Sequence, residues 1–338
     1  MYSLTDKDFA DILDNVSYDS RRKNIIADCP ICGAKAKLGV SIVKDLFPWQ
    51  CFKCAASGGA WKLLHLLGRL DLLRGPDFET DLVDNYLLFK NESKGLDLDL
   101  PTENLPIGYR RVAGDDYLDS RGWNDDDYFY FEGGRSRHWK YKDYVILPVY
   151  MHGRITGYVC RHVWPKWKID QHNTTVKKAK EGYLIPRYKN STGNEMAKML
   201  YGYDQLIEGR TSSVILVEGA FDVHNLTRQL LLYDVDQLKC VCTFGKKISD
   251  EQVYWLQAKG VKQLIILFDP DATGMTKYKS KELNKYFDVL VGYIDFKDEN
   301  GSEKDAGDLS VEEIERVLNS LYHPIDYGIE KVAIKTLK

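Results

Sequence analysis

Four short apolar runs in the second half of the chain, Val214 to Val217, Cys240 to Phe244, Leu264 to Phe268 and Val289 to Ile294, are separated by helical stretches. These include Ser249 to Ala258 and Thr273 to Tyr286. Strand and helix alternating at this spacing predict a mostly parallel sheet covered by helices, over about residues 206–310. The pattern differs upstream. Over about residues 104–205 strand and turn signals mix, and Tyr144 to Tyr150 and Ile155 to Arg161 read as strands around a His-Gly turn, despite Pro148. The acids of residues 74–103, with Gly95 and Pro101, predict an unpacked linker, with a short helix available at Asp81 to Phe89. Residues 1–73 form a first unit ending in the amphipathic run Gly59 to Leu70, where Trp61, Leu64, Leu67 and Leu70 share one helical side. Residues 311–338 hold a helix from Ser310 to Leu318 and a mixed basic tail.

At 338 residues, with 44% apolar and 29% charged positions, the chain is expected to form two or three globular domains. No apolar run approaches the roughly 20 residues that cross a bilayer. The first residues lack the basic start and apolar stretch of a signal peptide, so no membrane partner and a cytoplasmic location are expected. A net charge of −3 hides an uneven distribution. Between Arg135 and Lys189 there are 13 Lys or Arg against 3 Asp or Glu, whereas acids gather in Asp115 to Glu132 and Asp295 to Asp308. The separation predicts one basic surface and one acidic pocket.

Seven cysteines in a cytosolic chain argue against disulfides. Cys29, Cys32, Cys51 and Cys54 form two pairs with two intervening residues each, a spacing that turns four thiolates onto one tetrahedral ion, so structural zinc is expected. Cys160, Cys240 and Cys242 sit in apolar surroundings and are expected to be buried thiols. Between and beside the pairs, Lys35, Lys37, Lys44, Phe47, Trp49 and Phe52 interleave bases with aromatics. That suits single-stranded nucleic acid, and equally the small core of a ribbon.

The run VILVEGAFD delivers Glu218 at the end of an apolar strand, with Asp222 on the first turn of the next helix. LIILFDPDATG places Asp269 and Asp271 at the end of another. Ligands of open α/β sheets bind at such strand ends. Converging carboxylates repel one another unless a cation neutralises them, and with a triphosphate they are the usual surroundings of magnesium. Asp305 and Asp308, beyond the last strand, extend the candidate set.

Glu218-Gly219 with Asp222, followed by Asp269-Pro270-Asp271, resembles the toprim signature shared by bacterial-type primases, type IA and type II topoisomerases, and some small nucleases and recombination proteins. The remaining matches single out primases. The cysteine module is similar to the four-cysteine primase zinc domain of phage enzymes. Tyr117 to Trp123 resembles the segment opening the catalytic core, and Pro148 to Arg161 a strand-turn-strand ending in an arginine that faces template or nucleotide. Arg187-Tyr188-Lys189-Asn190-Ser191 resembles a Lys-Tyr-x-Asn-Ser motif, and Leu200-Tyr201-Gly202 a Leu-Tyr-Gly preceding the toprim part. Lys304-Asp305-Ala306-Gly307-Asp308 departs from the family's Lys-Asp-Pro-Asp by one additional residue, which puts the reach of Asp308 in doubt.

The resemblance, closest in layout to the stand-alone primases of tailed phages, implies an α/β fold class. It comprises an N-terminal four-cysteine zinc ribbon, then a primase core with a mixed α+β subdomain and a toprim α/β subdomain. It implies short RNA primers made on single-stranded DNA template from ribonucleoside triphosphates. Zinc would be structural, and one or two magnesium ions, replaceable by manganese, would sit on Glu218, Asp269 and Asp271, with Asp222 and Asp305 completing the catalytic set. Whether Glu218 is a metal ligand or a general base stays open. Arg121, Arg161, Arg187, Lys189 and Asn190 would hold template or nucleotide. No G-x-x-x-x-G-K-[ST] loop occurs in the sequence, so a separate hexameric helicase is the expected partner, with residues 311–338 as its contact. The alternatives are a metal-dependent toprim nuclease and a non-catalytic zinc and toprim DNA-binding replication factor.

Overall fold

A computed structural model of the chain describes residues 4–43, 47–69, 72, 96–191, 193–269 and 280–324. Alternation of apolar and polar positions builds the first unit. Helix α1 (Asp6–Ile12) precedes strands β1 (Ser17–Tyr18), β2 (Asn24–Ala27), β3 (Leu38–Ser41), β4 (Trp49–Cys51) and β5 (Ser57–Gly58), and helix α2 (Ala60–Leu66) closes it. The five strands form an antiparallel meander in sequence order. Ile25 and Ala27, Leu38 and Val40, and Trp49 and Cys51 are buried on one face, as a two-residue period requires. Leu63 and Leu64 of α2 are buried; Leu70 and the side chain of Trp61 lie outside the described residues.

The middle unit holds β6 (Tyr109–Arg111), α3 (Asp116–Ser120), α4 (Asp125–Phe131), β7 (Gly134–Ser136), β8 (Tyr144–Met151), β9 (Arg154–His162) and α5 (Lys166–Ala179). Its antiparallel sheet runs β6-β7-β8-β9. His152 and Gly153 both adopt positive φ, +57° and +72°, in the turn between β8 and β9. The Asp204 carboxylate accepts from both of their amides, at 2.7 and 2.8 Å, which compensates the left-handed strain at a histidine. Pro148 is tolerated because β7 pairs with β8 at Ile146 and leaves the strand beyond it with one neighbour.

The third unit is the parallel one. Strands β10 (Ser213–Val217), β11 (Leu238–Cys242), β12 (Gln263–Ile266) and β13 (Asp288–Val291) run in the order β11-β10-β12-β13, all pairs parallel. Every residue of the four strands is buried, the signature of a sheet covered on both faces. Helices α6 (Ala220–Gln229), α7 (Asp250–Ala258) and α8 (Val311–Leu318) accompany them. Ser249 and Ser310 cap α7 and α8 through the amides of Gln252 and Glu313. The whole is a mixed α/β fold carrying a four-cysteine cluster. Among the described residues, no helix is long and apolar enough to cross a membrane.

Two expectations meet a different structure. Residues 96–103, read as part of an unpacked linker, lie against the middle unit: Leu100 is buried and the Glu103 amide donates to the Ile155 carbonyl at 3.0 Å. The packing follows from the alternation of Leu96, Leu98 and Leu100 with acids, a strand-like period that a reading by charge overlooks. Helix α5 was not signalled in the sequence at all. The candidate helix Asp81 to Phe89, and the one from Thr273 up to residue 279, lie outside the described residues.

Candidate active-site cleft and metal centre

The two knuckles of the first unit bring four sulfurs together. Cys29 Sγ lies 3.9 Å from Cys54 Sγ and Cys32 Sγ 3.8 Å from Cys51 Sγ, and all four ligand atoms fall within 4.8 Å of one another. A tetrahedron with metal–sulfur bonds of about 2.3 Å has edges of about 3.8 Å, so the donors fit one metal ion. The amides of Lys53 and Cys54 point at Cys51 Sγ from 3.4 and 3.5 Å. Led by the Cys54 amide, such donors draw the Cys51 thiol down to about 6, ready to ligate as thiolate. Nearby, Trp49 is buried and Phe47 meets Phe9 with centroids 4.9 Å apart, so both serve the module's core. Phe52 is exposed; Lys44 lies outside the described residues.

A cleft of about 370 Å³ opens at the C-terminal ends of three parallel strands. Glu218 follows β10, Phe244 and Gly245 follow β11, and Asp269 follows β12, each lining the cleft. The Glu218 carboxylate accepts from the Asp269 amide at 3.0 Å, tying two strand ends together. Asp222 enters from the first turn of α6, where its Oδ2 accepts from the Gly219 amide at 2.8 Å. Asp305 comes from the turn after β13. That turn is pinned to α6 by Asn225, whose Nδ2 donates to the carbonyls of Ala306 and Leu309 at 3.0 and 2.9 Å. A Cβ at position 307 would lie 2.8 Å from Asp222 Oδ1 and 3.1 Å from Asp305 Oδ1, so this approach requires glycine.

Burial raises the Asp222 carboxyl well above the ordinary range, and the charges of Asp305, Asp269 and Glu218 add to it against the opposing Gly219 amide. Burial and then Asp308 also raise Asp305, while Arg121 and Arg187 lower it. A carboxyl raised in the folded state keeps its proton where the unfolded chain has lost it. The folded form then binds more protons, and stability falls as pH rises above about 4. In magnesium-free solution that keeps the cysteine cluster loaded, the Asp222 contribution is therefore expected to lower the melting temperature from about pH 5 to about pH 8, against the opposite contributions of the buried His162 and His224. Asp222→Asn should flatten that decline, and melting curves of both proteins at the two pH values check it. Parallel profiles would contradict the assignment.

Cations line the cleft as well. Arg121, Arg161, Arg187, Tyr188 and Asn190 line the same cleft. Arg161 leaves β9 with 4% exposure and its guanidinium lies 4.8 Å from the Tyr188 ring centroid. Its Nε has no hydrogen-bond partner, and no ion pair of Arg161 forms among the described residues. A buried guanidinium with a free Nε can donate to a further acceptor. Arg121 follows α3, with its backbone carbonyl held by Arg228 at 3.1 Å and its guanidinium 3.2 Å from Asp308.

Of the residues singled out in the sequence, Glu218, Asp222, Asp269, Asp305, Arg121, Arg161, Arg187 and Asn190 meet in this one cleft. Asp271 lies outside the described residues. Lys189 does not line the cleft; its Nζ donates to the Lys140 carbonyl at 2.8 Å and sits over the Tyr144 ring. Asp308 is turned to Arg121 and lies outside the lining. Sequence reasoning missed Phe221, Phe244, Gly307 and the supports Asn225 and Arg228. Asn225 and Arg228 carried a signal, since positions 222, 225 and 228 share one face of α6.

No protein-family model matches the chain. It is similar to uncharacterized protein MG010 of Mycoplasma genitalium, with 29% identity over 171 residues, a match that spans 50% of this chain and 66% of that protein.

Proposed function

We propose that the chain is a DNA primase, which makes short RNA primers on single-stranded DNA by magnesium-dependent phosphoryl transfer from ribonucleoside triphosphates. The four-cysteine unit is read as a zinc ribbon, residues 104–205 as the template-binding part of the core, and residues 206–310 as its toprim part. A separate ring helicase is the proposed partner. The observation that carries the reading is the cleft itself, whose lining holds four carboxylates together with three arginines. Few chemistries need both: a polyphosphate uses the cations directly and reaches the carboxylates through a divalent ion.

In this reading Glu218 and Asp269, with Asp271, hold magnesium. A divalent ion held by these residues would supply charge neutralisation for the α-phosphate and the leaving pyrophosphate. Arg161 and Arg187 fork onto phosphate oxygens of nucleotide or template, and Asn190 beside them supplies a neutral donor. Arg121, half-committed to Asp308, sits where an incoming phosphate competes for it. Asp222 and Asp305 set the shape and potential of the cleft. Aligning a 3'-hydroxyl with an α-phosphate in the cleft supplies most of the rate.

The test is incorporation of labelled ribonucleotides on mixed-sequence single-stranded DNA. Arg161→Ala is expected to lower incorporation at limiting nucleotide by about 10–100-fold, the scale of a lost charge-assisted contact of about 1.5–3 kcal/mol. Arg161→Lys should recover only part of it, since a lysine lacks the fork. Full activity of the alanine variant would remove Arg161 from the site.

A further inference from the structure

Between Arg161 and Arg187, both lining the cleft, the chain leaves the sheet for residues 163–186 and then returns. The returning segment bridges β9 at Arg161 and Tyr188. This insert is α5 and a loop, and it buries little: of the 14 helical residues only Ile169 is buried. Its loop is tied back onto its own helix. Asn173 exchanges two hydrogen bonds with Ile185, Nδ2 to carbonyl at 2.9 Å and amide to Oδ1 at 2.8 Å.

What the insert presents is aromatic and basic. Trp167 is 67% and Tyr183 72% exposed, and Lys168 Nζ lies 4.2 Å from the Trp164 ring centroid. The insert contains five lysines against two acids. The loop before β8 adds Trp139, 69% exposed, with Lys140 Nζ 5.5 Å from its ring. The Val163 amide, donating to the Asp143 carbonyl at 3.0 Å, joins that loop to the insert.

We infer that the insert is a stacking platform for single-stranded nucleic acid, on which bases lie against Trp167 and Tyr183 while the lysines follow the phosphates into the cleft. Exposed rings separated by cations suit a chain that alternates bases and phosphates. Duplex hides its base faces and offers only its charge. An anionic membrane surface would want the rings gathered on one apolar face, whereas here they come from a helix and two loops. The inference rests on the proposed function only for where the strand leads.

The experiment measures binding of labelled oligo(dT)20 to the full chain by fluorescence anisotropy, over a salt series. Trp167→Ala with Tyr183→Ala is expected to weaken binding about tenfold or more, from about 1–3 kcal/mol per stacked base. Both side chains are exposed, so neither change opens the core. Lys168→Gln with Lys177→Gln should lower the salt slope by about 1.4, at about 0.7 per phosphate contact on a single strand. Quenching of tryptophan fluorescence by oligo(dT)20 should shrink in Trp167→Ala. Wild-type affinity and slope in both double variants would overturn the inference and leave the primase reading standing. Loss of binding to phosphatidylserine vesicles, with oligo(dT)20 binding intact, would overturn it in favour of a membrane surface. Weakened oligo(dT)20 binding in a chain that makes no RNA would support the platform and sink the primase reading instead.

Discussion

Asp269→Asn should lower primer synthesis by about a thousandfold or more while leaving the affinity for single-stranded DNA at or above that of the wild type. The two halves of the result have separate origins. Loss of a metal-holding carboxylate removes several kcal/mol of charge stabilisation from the phosphoryl-transfer step, and about 4 kcal/mol corresponds to a factor near a thousand. Template and nucleotide are anions, so removing one negative charge from a lining that also carries Glu218, Asp222 and Asp305 reduces repulsion toward them. The asparagine retains the shape, and the Asp269 amide still donates to Glu218. Single-turnover incorporation and anisotropy titrations measure the two quantities separately. Equal losses in both would mean that Asp269 supports the fold and not the chemistry.

Cys51→Ser is expected to unfold residues 4–69 and leave the rest of the chain folded. The first unit is too small to rest on Phe9, Ile25, Leu38, Val40 and Leu64 alone. A structural zinc ion in such units contributes on the order of 10–16 kcal/mol, far more than the stability of a small domain. Serine offers neither thiolate affinity nor the Cys51 sulfur that the amides of Lys53 and Cys54 address. Limited proteolysis should cut the variant within the first unit and spare a fragment covering residues 96–324. Elemental analysis should find one zinc per wild-type chain and none in the variant. A variant that resists proteolysis like the wild type would show that the cluster needs no metal to fold. Glu315 of α8, which pairs with Lys62 of α2 at 2.7 Å, would lose its partner on unfolding and become more exposed.

What could be read in advance follows the strength of the periodic signal. The parallel strands are buried on both faces, so β10 to β13 stood out, and with them the acids that follow β10 and β12. The cysteine pairs were legible because metal ligation fixes spacing. Helix α5 was not, since a helix that buries only Ile169 has no apolar stripe to recognise. The residues that position others were harder to read: Asn225 and Arg228 share a face of α6 with Asp222, but they hold the 306–309 turn and Arg121 through backbone carbonyls, which carry no side-chain signature. Lys189 and Asp308 were named from their neighbours in the sequence, but the fold turns Lys189 to the Lys140 carbonyl and the Tyr144 ring, and Asp308 to Arg121, outside the cleft lining.

The most direct test of the central claim is de novo synthesis on mixed-sequence single-stranded DNA, with labelled ribonucleoside triphosphates and magnesium, comparing the full chain with Asp269→Ala. The account predicts short RNA products from the wild type and none from the variant. Degraded template and no RNA from the wild type, even with its ring helicase present, would contradict it and point to a nuclease.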